Sequence, residues 1–326
     1  PREATRARPP ASASARATSI VPRSTPPWSS AGVSWSTVGA RSTSPAAPLG
    51  CGPSEAPAVK PMPDVPSPAP SALALEDGRT LAYHRTAPRD EADGRPGVVF
   101  LGGFKSDMTG TKATVLEALC RARGLGFLRF DYTGHGASSG DFEDGCVGDW
   151  ARDAEDALTR LTAGPQLLVG SSMGGWIALL LARRRAERIA GLIGIAAAPD
   201  FTEDSMWPAF TAAQRREIET AGRLALPSAY SDEPYVITRR LIEDGREHLV
   251  LREPLGLPFP VRLLQGTADA DVPQARALTL LERVECPDLR LLLVKGADHR
   301  FSEPRELAIL EATLDELVAA VSPAAA

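Results

Sequence analysis

A short glycine-bounded segment, residues 170–174 (GSSMG), has the residue types and spacing of a turn that presents a reactive serine. Ser172 occupies the central place of the pattern G-x-S-x-G. An apolar run at 167–169 leads into the segment and another at 176–182 leads out of it, which predicts a strand before the turn and a helix after it. Such a turn lifts the serine hydroxyl above a sheet, and its strained backbone needs small neighbours. We therefore predict that Ser172 is a nucleophile and that Ser171 packs; the alternative is an ordinary glycine-rich turn.

The chain contains four histidines, and one of them must act as a base if Ser172 is a nucleophile, because a neutral hydroxyl attacks poorly. His84 falls in a predicted hairpin and His248 in a predicted insertion. His135 lies in a Gly-His-Gly loop after a predicted strand, and we expect it to shape that loop beside the pocket. His299 directly follows the last predicted strand. Where a G-x-S-x-G turn carries the nucleophile, the chain order is serine, acid, histidine, so we predict His299 as the general base.

A carboxylate should orient that imidazole, and residues 267–273 (TADADVP) offer two carboxylates after the penultimate predicted strand. We predict Asp269, which lies in the middle of this loop, as the orienting acid. Asp271 immediately precedes the next predicted helix and is expected to act as its N-terminal cap. Asp298 is a third candidate, but it adjoins His299 in the chain, and adjacent side chains diverge.

Acyl transfer at a serine also requires two backbone donors for the oxyanion. We predict the N–H groups of Met173, which follows the serine, and of Phe104, in the loop after the predicted strand at 97–101. Gly103 lets the backbone approach closely, and we expect it to contact the substrate. The sequence shows neither metal-ligand spacing nor a dinucleotide-binding loop, so we predict no metal and no other cofactor.

Short apolar runs alternate with helix-period segments from about residue 72 onwards, which predicts a parallel sheet with helices on both faces. An Asp-Gly turn between the first two strands predicts a hairpin. The predicted strands cover 73–76, 80–85, 97–101, 125–130, 166–170, 189–195, 261–265 and 289–294, and the predicted helices cover 111–123, 147–161, 174–185, 273–284 and 304–321.

Residues 200–257 interrupt this alternation and form what we call the insertion. Two helix-like stretches, 212–224 and 235–243, lie there among proline-bounded loops. An insertion between core strands emerges at the carboxyl edge of the sheet, where open α/β sheets bind ligands. We therefore predict a short cap over the active site whose Trp207, Phe210 and Tyr230 bind substrate; the alternative is a peripheral excursion.

Charge is distributed unevenly along the chain. Residues 1–60 contain seven basic and two acidic residues, whereas the rest contains 29 basic and 39 acidic ones. The acidic part has no Lys/Arg run, which argues against nucleic acid or an anionic membrane as the main partner. Four widely spaced cysteines indicate neither a disulfide framework nor a zinc site. No apolar run approaches ~18 residues, so we predict no membrane-spanning helix.

Residues 1–70 are rich in Pro, Ser, Ala and Arg without sustained periodicity, and we expect this tail to be disordered before a domain at 71–326. Arg-rich, acid-poor composition is typical of an organellar transit peptide. The other interpretation, which we favour, is upstream sequence joined to a gene whose natural start is Met62. We accordingly expect a cytoplasmic protein, with a mitochondrial location as the alternative.

Several longer motifs stand out at 100–104 (FLGGF), 108–113 (MTGTKA), 129–134 (RFDYTG), 164–176 (GPQLLVGSSMGGW), 261–266 (VRLLQG) and 298–300 (DHR). Together they resemble one branch of the α/β-hydrolases, the branch that contains the mitochondrial palmitoyl-protein thioesterase, also described as mycophenolic acid acyl-glucuronide esterase. The resemblance covers about residues 75–320. It implies an α/β-hydrolase fold, with a mostly parallel eight-stranded sheet, flanking helices and a short cap.

The same resemblance implies hydrolysis of acyl thioesters or acyl esters, of small molecules or acyl-proteins, and places the triad on Ser172, Asp269 and His299. One departure is the pair Gly102-Gly103, where many hydrolases carry His-Gly. Two further interpretations stay open: a C–C bond hydrolase or serine peptidase with the same triad, and a non-catalytic binding module on this scaffold. The sequence leaves the oligomeric state undetermined.

Overall fold

Twelve strands and eight helices are formed by residues 69–91, 93–227 and 234–323, which are the residues described by the computed structural model. All of them belong to one compact unit, Val59–Ala326. The predicted tail at 1–70 lies almost wholly outside the described residues, and so does Tyr230. The strands are β1 (Ser71–Ala74), β2 (Thr80–Thr86), β3 (Gly97–Leu101), β4 (Phe127–Phe130), β5 (Gln166–Ser171), β6 (Ile189–Ile195), β7 (Arg223–Leu226), β8 (Tyr235–Thr238), β9 (Leu255–Gly256), β10 (Val261–Gly266), β11 (Val284–Glu285) and β12 (Leu289–Val294).

The helices are α1 (Thr111–Arg123), α2 (Val147–Leu161), α3 (Met173–Arg184), α4 (Trp207–Ala209), α5 (Ala212–Ala221), α6 (Arg239–Glu247), α7 (Gln274–Arg283) and α8 (Pro304–Val321). None of these helices in the described part of the chain is long and apolar enough to cross a bilayer.

Eight strands form the main sheet in the order β1-β2-β4-β3-β5-β6-β10-β12. β2 pairs antiparallel with β1 and with β4, and the remaining pairs are parallel. β3, β4, β5 and β10 are almost continuously buried, as expected for strands covered on both faces. This confirms the α/β-hydrolase fold with a mostly parallel eight-stranded sheet.

Helices cover both faces of this sheet and create two hydrophobic cores. One core contains Trp150 of α2 and Trp176 of α3, packed with apolar residues of the insertion. The other contains Leu116 of α1 and Leu314 of α8. The boundaries of the main-sheet strands and their helices agree with the sequence prediction to within two residues.

The insertion differs from the prediction at two places. The helix predicted for 212–224 ends at Ala221 because Gly222 adopts a left-handed conformation with φ 79°. Residues 223–226 and 235–238 instead pair as the antiparallel strands β7 and β8, so the helix predicted to begin at 235 was wrong there. The run Val236-Ile237-Thr238 is β-branched, which favours a strand. α6 begins only at Arg239, where the Thr238 side chain accepts a hydrogen bond from the Leu241 N–H.

Asp200 ties the two ends of the insertion together. Its fully buried carboxylate accepts hydrogen bonds from the N–H groups of Val250 (2.8 Å) and Leu251 (3.0 Å). The insertion is also fixed to α3, since the Trp176 indole N–H donates to the His248 carbonyl at 3.0 Å and its ring packs on Phe201. The insertion is therefore anchored on the helix that follows the predicted nucleophile.

The close approach of α3 to β3 depends on Gly174. A Cβ on this residue would overlap the carbonyl oxygen of Leu101, a backbone atom that cannot turn aside. We predict that Gly174→Ala lowers the free energy of unfolding by about 3 kcal/mol, or roughly 10 °C in Tm, because strand and helix must separate. Gly256→Ala is the control, since a Cβ on Gly256 meets nothing within 4 Å and its φ is not positive. Equal melting temperatures for the two variants would contradict this account.

Candidate active site

Ser172 joins β5 to α3 in a strained conformation, with φ 54° and ψ −119°. Its N–H donates to the Ile195 carbonyl at 2.9 Å, and its own carbonyl accepts from the N–H groups of Gly175 (2.9 Å) and Ala198 (3.0 Å). Positive φ is costly for a residue with a Cβ and persists only where the surroundings enforce it. Here the end of β6 enforces it from one side and the first turn of α3 from the other.

His299 lies between the predicted nucleophile and the predicted acid. Its Nε2 is 3.1 Å from the Ser172 Oγ, and its Nδ1 is 3.0 Å from Oδ2 of Asp269. An ionised carboxylate only accepts hydrogen bonds, so Nδ1 carries the ring proton and Nε2 is left as the acceptor for the serine hydroxyl. The structure thus brings the three side chains into one hydrogen-bonded series, in the tautomer that base catalysis requires; their catalytic roles stay predictions.

Asp269 is held by four donors, and its side chain is fully buried. Oδ1 accepts from the N–H groups of Asp271 (2.9 Å) and Val272 (2.8 Å), while Oδ2 accepts from His299 and from Nε2 of Gln265 (3.0 Å). Burial acts to raise the pKa of Asp269, but the hydrogen bonds from His299 and the two backbone groups outweigh it, and the pKa lies below the usual range. The carboxylate therefore stays charged at neutral pH.

The other two candidate acids, Asp298 and Asp271, are not the carboxylates that contact His299 Nδ1. Asp298 accepts a hydrogen bond from the Phe301 N–H (3.2 Å) within the loop that follows His299. The expected capping role of Asp271 was wrong, because the N-cap of α7 is Pro273 and no side chain caps that helix. The helix begins at Gln274, one residue later than expected, and Asp271 lies two positions before the N-cap.

One group of three side chains among the described residues has donor atoms close enough to share a metal ion. It consists of Asp269, Asp271 and His299, whose donor atoms lie within 4.8 Å of one another. Both oxygens of Asp269 and the Nδ1 atom of His299 already take part in the hydrogen bonds described above. A metal ion would have to break the series to bind there.

The predicted oxyanion donors flank Ser172. Met173 is the first residue of α3, where helix N–H groups have no acceptor within the helix. Gly103 is a neighbour of the serine, since a Cβ on it would lie in van der Waals contact with the Ser172 Cβ, at 3.5 Å. Within the described ranges, no carbonyl or side chain accepts a hydrogen bond from the N–H of Phe104. Among the residues that the structure describes, neither predicted donor has a backbone acceptor, and both lie next to the serine.

The Phe104 ring packs into an aromatic cluster that sequence reasoning missed. Its neighbours are Phe142, Trp150, Phe201 and Tyr235, with ring centroids 4.8 to 6.1 Å away. Phe201 and Tyr235 come from the insertion, which therefore contacts the predicted oxyanion loop directly. Because these residues are far apart in the chain, no local pattern could have grouped them.

The predicted substrate-binding residues occupy different surroundings. Gly103 adjoins Ser172. Phe210 is buried and packs edge-on against Trp207, with centroids 6.1 Å apart. The Trp207 ring is also covered by the guanidinium groups of Arg215 (5.5 Å) and Arg246 (4.8 Å). Trp207 and Phe210 thus belong to the packed part of the insertion, and their contact with a substrate stays a prediction.

A separate surface cavity of about 740 Å³ lies between the β1–β2 turn and the start of α2. Its lining carries both signs of charge, including Arg79, Asp149, Arg152 and Arg240, and includes none of the three residues of the hydrogen-bonded series. This cavity is therefore distinct from the hydrogen-bonded series.

Comparison with known proteins gives a consistent assignment. A family model described as "Alpha/beta hydrolase family" matches residues 96–310. The chain is 38% identical over 240 residues to the mitochondrial palmitoyl-protein thioesterase ABHD10 of Rattus norvegicus, which covers 73% of this chain and 79% of the relative. Among solved structures, a protein from Agrobacterium vitis S4 superposes with a TM-score of 0.73 at 40% identity, covering 76% of this chain and 98% of that one. Mouse alpha/beta hydrolase domain-containing protein 10 gives a TM-score of 0.71 at 37% identity, covering 78% and 100%.

Gln265 supports the Asp269 carboxylate, a role that its place at the end of an apolar run does not reveal in the sequence. Its buried amide donates to Oδ2 of Asp269 (3.0 Å) and to the Val272 carbonyl (3.1 Å). We predict that Gln265→Met lowers kcat/KM for an ester about tenfold, because a hydrogen bond to a charged group contributes roughly 1.5–3 kcal/mol. Gln274→Met is the control, since its exposed amide reaches only the Thr267 carbonyl of the same loop. The prediction is wrong if both variants retain the wild-type kcat/KM.

Proposed function

Since the chain belongs to the alpha/beta hydrolase family, we propose that it is a serine hydrolase that cleaves acyl thioesters or carboxylic esters. Ser172 is the nucleophile in this proposal, His299 the general base, and Asp269 the orienting acid. The observation that carries it is the hydrogen-bonded series from Asp269 Oδ2 through His299 to the Ser172 Oγ, with distances of 3.0 and 3.1 Å. These are the distances over which a proton can pass from hydroxyl to imidazole.

Acylation follows from this geometry. Nε2 of His299 takes the hydroxyl proton while the Ser172 Oγ forms a bond to the acyl carbon, and the carbonyl electron pair moves onto oxygen. The N–H groups of Met173 and Phe104 hold the resulting oxyanion. When the carbonyl re-forms, the bond to the leaving sulfur or oxygen breaks, and that atom takes the proton from His299. The products are a free thiol or alcohol and an acyl-serine.

Deacylation uses the same groups with water as the nucleophile. His299 takes a proton from the water while the water oxygen attacks the acyl-serine. His299 then returns that proton to the Ser172 Oγ as the ester bond breaks. The carboxylate of Asp269 stabilises the imidazolium in both halves of the reaction. Its lowered pKa keeps it charged and able to do so at neutral pH.

A thioester substrate is supported by the name of the curated relatives, which are palmitoyl-protein thioesterases at up to 39% identity. Thioesters and oxygen esters pass through the same tetrahedral oxyanion, so one site serves both. The insertion supplies apolar side chains, among them Met206, Leu224 and Leu226, that pack on the core beside the aromatic cluster. We infer that it forms the wall for an acyl chain.

The names of the same relatives bear on where in the cell we expect the protein. They are named as mitochondrial proteins, which favours the mitochondrial alternative over the cytoplasmic expectation. Import of the full chain into isolated mitochondria, followed by protease protection, tests this directly.

The nucleophile can be tested with a fluorophosphonate probe. Ser172→Ala should abolish labelling and reduce turnover by up to about 10⁶-fold, because the acyl-enzyme can no longer form. Ser171→Ala is the matched control, because it removes the neighbouring hydroxyl and should keep both labelling and turnover. Labelling that persists in Ser172→Ala would exclude Ser172 as the nucleophile.

The choice between the two carboxylates of the 267–273 loop can be tested by amide substitution. Asp269→Asn should lower kcat on the order of 10⁴-fold, because Nδ1 of His299 loses the acceptor that fixes its tautomer. Asp271→Asn should lower it far less, since this residue supports Asp269 through its backbone N–H. The opposite ranking, measured by kcat at neutral pH, would reverse the assignment.

The substrate class can be tested with matched thioesters, esters and amides of graded acyl length. Each buried methylene contributes roughly 0.8 kcal/mol, so kcat/KM should rise over short and medium chains and then level off. Thioesters and esters should be cleaved faster than amides, since nothing in the sequence suggests a peptide-binding groove. Preferred cleavage of amides would favour the peptidase alternative, and a flat dependence on acyl length would contradict an acyl pocket.

A further inference from the structure

We propose that His135 is a positioning residue for the oxyanion hole, because its Nε2 accepts a hydrogen bond from the Lys105 N–H and so fixes the turn that carries the Phe104 N–H. The inference rests on the proposed function, in which Phe104 is an oxyanion donor. No substrate contact is assigned to His135 itself; it acts on the reaction only through the backbone of the turn.

The turn spans residues 103–106 and is closed by a hydrogen bond of 3.2 Å from the Ser106 N–H to the Gly103 carbonyl. Lys105, its third residue, has φ 56°, whereas Phe104 is not among the residues with positive φ. Of the types I, II, I′ and II′, only type II combines a negative φ at the second residue with a positive φ at the third, where glycine is usual. A lysine there is strained, so something outside the turn must stabilise it.

The Lys105 side chain contacts Pro234, Phe142 and Tyr235, and its backbone N–H makes a hydrogen bond of its own outside the turn. The peptide that joins Phe104 to Lys105 is the one whose orientation reverses between type I and type II turns. In the observed orientation the Lys105 N–H lies 3.3 Å from Nε2 of His135. Reversal of that peptide would turn a carbonyl oxygen toward the ring nitrogen, and two acceptors would then face each other. An acceptor at this position therefore selects the type II turn.

His135 is fixed in the state that can accept. Its Nδ1 is 3.2 Å from the Thr133 carbonyl, which can only accept, so Nδ1 carries the proton and Nε2 has the free lone pair. Burial lowers the pKa of His135 to about 4, so the ring stays neutral at neutral pH. A histidine that titrated near neutrality would lose this acceptor in part of the molecules.

His135 and the Phe104 ring share two neighbours, which makes the turn rigid from both sides. The imidazole packs edge-on against Phe142 and Trp150, both at 5.1 Å, and the Phe104 ring packs on the same two side chains at 4.8 and 5.9 Å. The backbone hydrogen bond holds the peptide that follows Phe104, and the aromatic packing holds its ring, so together they fix the residue whose own N–H lies in the preceding peptide. Oxyanion donors act over a narrow range of distance, so a shift of Phe104 weakens stabilisation of the transition state more than binding of the substrate.

The test separates the acceptor from the ring. His135→Phe keeps an aromatic ring but has no acceptor, whereas His135→Gln keeps an acceptor near the Nε2 position but has no ring. For a short acyl ester, we expect His135→Phe to lower kcat about 10- to 100-fold at nearly unchanged KM, since misplacement of a catalytic group by about 1 Å has effects of this size. Affinity for an alkylboronic acid, which forms a tetrahedral adduct with the serine, should fall by a similar factor. His135→Gln should stay within about threefold of wild type in both measurements.

Glycine at position 105 provides a rescue that a purely structural role of His135 does not predict. Glycine adopts positive φ without strain, so the double variant His135→Phe/Lys105→Gly should recover most of the kcat lost in His135→Phe, with Lys105→Gly alone as the reference. Melting temperatures are measured for all variants. If His135→Phe does not fold, His135→Gln decides alone: kcat within threefold supports the proposal, and a tenfold loss overturns it.

Three results would overturn the proposal: a wild-type kcat in His135→Phe, equal losses in the Phe and Gln variants, or no recovery in the double variant. Ser172→Ala is assayed in the same series. Turnover that survives in Ser172→Ala refutes the proposed function, whereas turnover that depends on Ser172 but is indifferent to His135→Phe refutes only this inference.

Discussion

The positive φ of Ser172 is the constraint on which the other features of the site depend. A residue with a Cβ in this conformation costs about 1–3 kcal/mol, and the surrounding structure must supply that energy. It does so through the bond from the Ser172 N–H to the end of β6 and the bonds that its carbonyl accepts from Gly175 and Ala198. These partners are available only because β5 and β6 are adjacent and parallel, and because α3 begins immediately after the serine. The order of the strands in the sheet is therefore what makes the strained conformation of Ser172 possible.

Parallel topology also explains how residues distant in the chain meet. Asp269 follows β10, His299 follows β12, and Ser172 follows β5, so all three emerge at the carboxyl edge of one sheet. His299 and Ser172 are 127 residues apart in sequence, yet their side chains are in hydrogen-bond contact. Ordering such a distant pair is entropically costly, and the buried strands provide the hydrophobic stabilisation that offsets it. The acid is held most firmly of the three, by four donors, because a buried charge without partners would destabilise the fold.

Much of this could be predicted from the sequence because the signals were local. Apolar runs of strand length, helix-period segments and the GSSMG turn each identify themselves within a few residues, and the order serine, acid, histidine then leaves few choices. Predictions failed where the signal was ambiguous or distant. The short apolar stretch at 235–238 fits the period of a helix as well as that of a strand, and only its pairing with β7 makes it a strand. Gln265 lies near the end of a strand, as predicted, but its contact with Asp269 depends on how the following loop folds back and could not be predicted.

The loop at 103–106 depends on residues that lie outside the hydrogen-bonded series of Ser172, His299 and Asp269. Gly103 lies beside the serine, and the turn that begins there requires a positive φ at Lys105, where the chain has no glycine. The strain of this conformation must be offset by contacts outside the turn. The groups in position to do so are the buried imidazole of His135 and the rings around Phe104. Two of those rings, Phe201 and Tyr235, belong to the insertion. A change of sequence in the insertion therefore reaches the predicted oxyanion loop as well as the proposed wall for the acyl chain, and we expect it to change substrate preference and catalytic rate together through the Phe104 side chain.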